Sequence, residues 1–205
     1  MVIDGRIVGR SDVPMGVTRD DTLFPAVQSL LAQAALGAGD LRAIACGAGP
    51  GSFTSLRIAG SLAKGLAFAG ECLLYRVSSL MLAAATVQRA GQFVVHADAL
   101  RGERFVLDVE IGVDGLASAQ SAVRRVAFGD LVALGEGRER LAVLASPDPD
   151  LESLIVTPDA AAIVRCVDWF REGPVSLDEW EPDYGRLAEA QVKWEADHGR
   201  ALTNG

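Results

Sequence analysis

The chain has 205 residues, 50% of them hydrophobic and 22% charged, so it can bury a substantial core and is not a disordered tail. Its net charge of −8 opposes binding to phosphate backbones, so any contact with RNA would need a partner that supplies positive charge. No apolar run approaches the roughly 18 residues of a spanning helix, and Asp4 and Arg6 stand where a signal peptide is apolar, so we expect a cytoplasmic protein without membrane contact.

The first half of the chain predicts short strands around turn residues, then a helix and a strand-helix-strand unit. The helix is amphipathic, and Asp21 or Thr22 can cap its start. In chain order the predicted elements are strands at Val2–Gly9 and Val13–Val17, a helix at Thr22–Leu36, a buried strand at Leu41–Cys46, a helix from the next glycine-rich turn to about Ala69, a strand at Cys72–Val77, and a short helix that Ser78 or Ser79 caps and Gly91 stops.

The second half predicts a similar order of elements, which indicates a duplicated α/β domain. Its predicted elements are strands at Phe93–Ala97, Arg104–Ile111 and Leu116–Val126, a helix at Phe128–Leu134, a strand at Leu141–Ala145, and helices at Asp159–Arg171 and Gly185–His198. We place the domains at residues 1–91 and 92–205, with the final helix packing back. Three strands precede the first helix here but only two in the first half, so the first half lacks its opening strand. The sequence leaves open whether the reading frame begins late or the strand is lost.

Residues that could carry chemistry are sparse. The three cysteines, Cys46, Cys72 and Cys166, are far apart in apolar settings, which favours buried thiols over a disulfide or zinc framework. The two histidines, His96 and His198, form no metal-binding pair, so we expect no metal. A carboxylate at Asp98, which ends a predicted strand, could hold magnesium or cap a turn.

The most distinctive segment is the turn at residues 47–56, which follows a buried strand and opens a helix. Free N–H groups at a helix start favour an anion, so Gly49, Gly51, Ser52 and Thr54 are candidates for a nucleotide or anion turn. Its glycine spacing matches neither a P-loop nor a dinucleotide fingerprint. A plain turn with Ser52 or Thr54 as helix cap explains it equally well.

The helix after this turn carries a face of small residues. Glycine in a helix interior costs roughly 1 kcal/mol relative to alanine, so close approach of another helix is the usual reason for it. We predict a partner interface on this helix, while packing inside the first domain and a solvated charged face are the alternatives. The predicted interface residues are Arg57, Ala59, Gly60, Ala63, Lys64 and Ala67.

Residues Gly49–Ile58, with the sequence GPGSFTSLRI, closely resemble a motif of the bacterial TsaB proteins, which help to make threonylcarbamoyladenosine in tRNA. Further similarity lies in the helix Thr22–Leu36, in Asp98–Glu103 and in Glu181–Arg186, and it spans about residues 2 to 200. This chain departs from the pattern in three ways. It lacks the opening strand with an Asp-Thr-Ser loop, has Ser55 where the family has Gly, and has Arg19–Thr22 in place of a His-Ser-Glu sequence.

The resemblance implies a duplicated actin-like (ribonuclease H-like) ATPase fold without catalysis of its own. It also implies a TsaD-like catalytic subunit and a TsaE-like ATPase as partners, a homodimer when the chain is alone, and tRNA contact only through the complex. No cofactor is expected to bind tightly, and ATP or ADP is expected, if at all, at a partner interface. A glycoprotease-like or ATP-using enzyme, or a degenerate homodimer without a partner, are the competing hypotheses.

Overall fold

The computed structural model describes residues 1–13, 22–99, 101–143 and 151–184. In the first half the elements are β1 (Val2–Ile3), β2 (Arg6–Ile7), α1 (Leu23–Gln33), β3 (Ala43–Gly49), α2 (Phe53–Gly70), β4 (Leu73–Ser78) and α3 (Ser79–Ala84). In the second half they are β5 (Gly91–Asp98), β6 (Glu103–Ile111), β7 (Ala117–Ala119), β8 (Arg124–Ala127), α4 (Phe128–Leu134), β9 (Glu139–Val143), β10 (Leu154–Val156) and α5 (Asp168–Glu172). None of the helices in these residues combines the length and apolar character that crossing a bilayer requires.

The first half holds two separate pairs of strands. The segment Val2–Gly9 forms a hairpin, because Asp4 and Gly5 both adopt positive φ and turn the chain between β1 and β2. The strands β3 and β4 are parallel, and α2 makes the crossover between them. The predicted helix and strand-helix-strand unit are therefore confirmed, with ends shifted by a few residues.

The second half forms one six-stranded sheet in the order β10-β9-β5-β6-β7, with β8 also paired to β6. The central strand β5 is antiparallel to β6 on one edge and parallel to β9 on the other. Its residues Phe93 and Val95 belong to the largest hydrophobic core, together with Leu80 of α3. This sheet with α3 against it thus forms the main core of the protein.

Several predicted elements differ from the structure or lie outside its description, and one strand of the structure was not predicted. The segment Leu116–Val126 makes two strands, because the Ser121 hydroxyl between them accepts a hydrogen bond from the Asp108 amide. The segment Asp159–Arg171 is a 3₁₀ helix and a short α-helix, since Cys166 between them is extended and pairs with Ala117. The strand β10 was not predicted. The strand Val13–Val17, apart from its first residue, and the helix Gly185–His198 fall outside the described residues.

The chain returns to the first half after α5. Val175 pairs with Leu74 of β4, and the Trp180 side chain, 1% exposed, packs into a small core between α2 and the β3–β4 pair. This return brings the far end of the described chain to the glycine-rich turn.

Candidate functional site

The glycine-rich turn is a helix start with a close main-chain contact. The Ser52 hydroxyl is the helix cap and accepts a hydrogen bond from the Ser55 amide at 3.5 Å. Gly49 adopts a φ of +111°, and a Cβ atom placed there would lie 2.3 Å from the Asp183 carbonyl oxygen. Only glycine fits this position, because both its conformation and its neighbour exclude a side chain.

The segment Glu181–Tyr184, called the strap below, crosses this turn. The Asp183 amide donates a hydrogen bond to the Ala48 carbonyl at 2.6 Å. The Tyr184 ring lies 4.6 Å from that of Phe53, and the Arg57 guanidinium lies 5.3 Å from the Phe53 ring on α2. The strap therefore places a carbonyl oxygen at Gly49, where an anion would have to approach, while Gly51, Ser52 and Thr54 stay exposed.

The small-residue face of α2 points inward, so Gly60, Ala63 and Ala67 of the predicted partner interface pack inside this chain. Ala63 and Ala67 are buried in the core that contains Trp180, and Ala59 packs against the same core. A Cβ atom on Gly60 would lie 2.2 Å from the Trp180 ring. Gly60 leaves room for a tryptophan of the same chain. The spacing of residues within α2 could not reveal this contact.

The opposite side of α2 is exposed and apolar. It includes Phe68, which is 76% exposed, and Ile58, which is 41% exposed, while Phe24 of the neighbouring α1 is 42% exposed. Phe24, Ile58 and Leu62 line an open groove of about 510 Å³ together with Arg57 and Ser61. We call Phe24, Ile58, Leu62 and Phe68 the outer face. No residue of α1 is buried in this structure.

The charged residues within α1 and α2 are cations, although the whole chain carries −8 and the exposed Glu71 follows α2 beside Phe68. The helix α1 has no charged residue, and the two charged residues of α2 are Arg57 and Lys64. Arg57 is exposed, and the Lys64 ammonium lies 5.9 Å from the Trp180 ring. The apolar groove with Arg57 at its edge suits an apolar partner surface with an acidic residue opposite Arg57.

Other reactive side chains are held in internal contacts. The His96 ring is buried, with Nε2 3.1 Å from the Ser153 hydroxyl, a pair that their separation in sequence had hidden. Asp98 accepts a hydrogen bond from Arg104 at 2.9 Å, which makes it part of an ion pair at the β5–β6 turn. Within the described ranges, no group of three or more His, Cys, Asp or Glu residues could hold a metal ion.

The thiols are buried as expected at Cys46 and Cys166, while Cys72 is half-buried. Burial raises the pKa of Cys46 to about 12. Burial likewise raises the pKa of Cys166 to about 12. Because only the thiolate is a good nucleophile, these two cysteines are inert at neutral pH.

Comparison with known proteins matches residues 18–137, more than half of the chain, to a family model described as TsaD, tRNA N6-adenosine threonylcarbamoyltransferase. The chain is 29% identical to a tRNA threonylcarbamoyladenosine biosynthesis protein TsaB of Escherichia coli, over 80% of this chain and 79% of that protein. It is 26% identical to the TsaB protein of Haemophilus influenzae, over 89% of this chain and 85% of that protein.

Among solved structures, YeaZ from Pseudomonas aeruginosa superimposes with a TM-score of 0.65 and 23% identity, over 79% of this chain and 82% of that one. Its similarity and the TsaD family match identify an actin-like ATPase fold, as the sequence predicted.

Proposed function

The chain belongs to the bacterial TsaB family, and from this premise we propose that it serves tRNA threonylcarbamoyladenosine biosynthesis as a non-catalytic subunit. In this proposal it binds the TsaD-type transferase and activates it. The observation that carries the proposal is the outer face of α1 and α2, an exposed apolar surface beside the family's most distinctive motif.

The outer face has the composition of an interface core. Fully burying a side chain such as Phe or Ile contributes about 1.5–3 kcal/mol, and Phe24, Ile58 and Phe68 all keep two-fifths or more of their surface exposed. Phe24, Ile58 and Leu62 line one groove between α1 and α2, and an exposed apolar surface of this kind is typical of protein contact sites. We therefore place the interface on the outer face instead of on the buried small residues, and Arg57 lies at its rim.

The same surface accounts for two states of the chain. Alone, it would pair with the outer face of a second copy in a homodimer; with the transferase present, the transferase would replace that copy. The net charge of −8 leaves tRNA contact to the other subunits, and a TsaE-like ATPase completes the complex. Nucleotide, if bound, belongs at a subunit interface, because the Asp183 carbonyl occupies the approach to Gly49.

The proposal is tested by a charge placed on the outer face. Ile58→Asp should weaken homodimer or transferase binding by about 2 kcal/mol, roughly thirtyfold, because the carboxylate would be desolvated in the interface. Val132→Asp is the matched control, since Val132 lies on α4, has similar exposure and is far along the chain from the outer face. Light scattering after size exclusion measures the homodimer, and titration with the purified transferase measures the complex.

Circular dichroism should show that both variants are folded, because both positions are partly exposed. If the two variants and the unchanged chain bound equally well, the assignment of the interface to the outer face would be contradicted.

A further inference from the structure

Three stacked side chains connect the strap with the edge of the groove on the outer face. The Tyr184 ring of the strap lies 4.6 Å from the Phe53 ring, with an angle of 32° between the two planes. The Arg57 guanidinium carbon lies 5.3 Å from the centre of the same Phe53 ring, and Arg57 also lines the groove between α1 and α2. We call Tyr184, Phe53 and Arg57 the stack.

Two anchors fix the strap just before Tyr184. The Trp180 side chain is 1% exposed in the small core, and the Asp183 amide donates its hydrogen bond to the Ala48 carbonyl. Phe53 is the first residue of α2 and is 45% exposed, so the Tyr184 ring covers a side chain that the helix leaves open to solvent. Tyr184 therefore limits the orientations of the Phe53 ring.

Arg57 takes its orientation from the same stack. It lies four residues after Phe53 on α2, and residues with this spacing share one face of a helix. No acidic residue in the described part of the chain forms an ion pair with Arg57. Its cation is held over an aromatic ring instead, which leaves its N–H groups available to an acidic group of a partner.

We propose that Tyr184 is a positioning residue for the outer face: through Phe53 it holds Arg57 at the edge of the groove, where Arg57 binds a carboxylate of the transferase. This inference rests on the proposed function, in which the transferase occupies that groove. An arginine loses side-chain freedom when it binds a partner, and an arginine that the free chain already orients loses less of it. Because such coupling is reciprocal, a transferase that fixes Arg57 also stabilises the strap.

A double-mutant cycle, measured by titration with the purified transferase, tests this coupling. Arg57→Ala should weaken binding about tenfold, and Tyr184→Ala about threefold to tenfold, because the arginine must then be ordered on binding. In a chain that already carries Arg57→Ala, Tyr184→Ala should change the affinity by less than about twofold. Tyr184→Phe keeps the ring and should bind as the unchanged chain does. An equally large loss from Tyr184→Ala with and without Arg57 would overturn the proposal.

A second measurement needs no transferase. In the chain alone, the ring current of Phe53 should move the NMR signal of the Arg57 Nε–H group away from that of a free arginine. Arg57→Ala removes this signal and so assigns it. Tyr184→Ala should return the signal toward the free value, whereas Tyr184→Phe should not. The indole N–H signal of Trp180 should stay in place in both variants, which shows that the anchor of the strap is intact.

An Arg57 signal that Tyr184→Ala leaves unchanged would overturn the proposal even if the transferase binds. Failure of the unchanged chain to bind the transferase would instead overturn the proposed function, and with it the carboxylate opposite Arg57. An Arg57 signal that depends on Tyr184 would still support the positioning of Arg57 in that case, so the two failures are distinguishable.

Discussion

The second half of the chain holds its strands in one sheet, whereas the first half divides four strands between two pairs. In the second half β5, β6 and β9 line the main core, with side chains such as Val95 and Leu141 fully buried. In the first half the small core between α2 and β3–β4 is closed by Trp180, which comes from the far end of the described chain. Elements in a similar order thus reach different burial. The central strand β5 pairs with both β6 and β9, whereas each described strand of the first half pairs with one other strand.

The largest expected effect is a difference in the free energy of unfolding between core substitutions in the two halves. Leu141→Ala in β9 should lower the free energy of unfolding by about 3 kcal/mol, because it leaves a cavity beside a fully paired strand. Ile44→Ala in β3 should cost only about 1 kcal/mol, because this side chain is partly exposed already. Urea denaturation of the protein measures both. Equal losses would show that pairing with a single strand, β4, does not weaken the core beside β3.

The next effect tests the contact that closes the first half. Gly60→Ala should destabilise the protein by about 2 kcal/mol, because its Cβ would lie 2.2 Å from the Trp180 ring. Gly65→Ala is the control in the same helix; nothing lies within 4 Å of its Cβ position, so it should stabilise by about 0.5–1 kcal/mol. Thermal melts should therefore move in opposite directions. A Gly60→Ala variant as stable as Gly65→Ala would contradict the seating of Trp180.

A smaller effect concerns a half-buried ion network around Asp108 of β6 in the second half. Burial raises the pKa of Asp108, but hydrogen bonds and charge from Arg124 and Arg138 outweigh it and hold that pKa below its ordinary value. A lowered folded pKa means that this contribution to stability is present above the unfolded pKa of about 3.9 and is lost as the pH falls below it.

Asp108→Asn should accordingly cost about 1.5 kcal/mol at pH 7 and reduce the acid dependence of the free energy of unfolding. Asp98→Asn is the comparison, since the Asp98 side chain is more exposed in its pair with Arg104 and should contribute less. Urea titrations between pH 3 and pH 7 decide the matter. An unchanged pH slope in Asp108→Asn would contradict the assignment.

The sequence predicted most of the α and β elements because their hydrophobic periods and caps are local. Helix α4 was predicted with the same ends, and Ser52 and Ser78 cap their helices as expected. The 3₁₀ turn before Cys166 was not predicted. The helix is interrupted there because Cys166 pairs with Ala117, nearly fifty residues away.

The candidate site was predicted less well, because its packing also depends on contacts between residues that are far apart in the sequence. The motif at Gly49–Ile58 identified the family, yet spacing alone assigned the small-residue face of α2 to a partner. The tryptophan that covers Gly60 lies 120 positions further along the chain, and nothing within α2 points to it. The exposed residues Ile58 and Phe68 were visible in the sequence, but only the fold shows which side of α2 is free.

The central claim is that the outer face lets this chain activate a TsaD-type transferase. The most direct measurement is the rate of threonylcarbamoyl transfer to tRNA by that transferase with its ATPase partner, as a function of the concentration of this chain. The unchanged chain and Val132→Asp should raise the rate to the same plateau, and Ile58→Asp should need roughly thirtyfold more protein to reach half of it, the factor that about 2 kcal/mol of binding energy gives. A rate that does not respond to the unchanged chain, or that responds equally to Ile58→Asp, would contradict the claim.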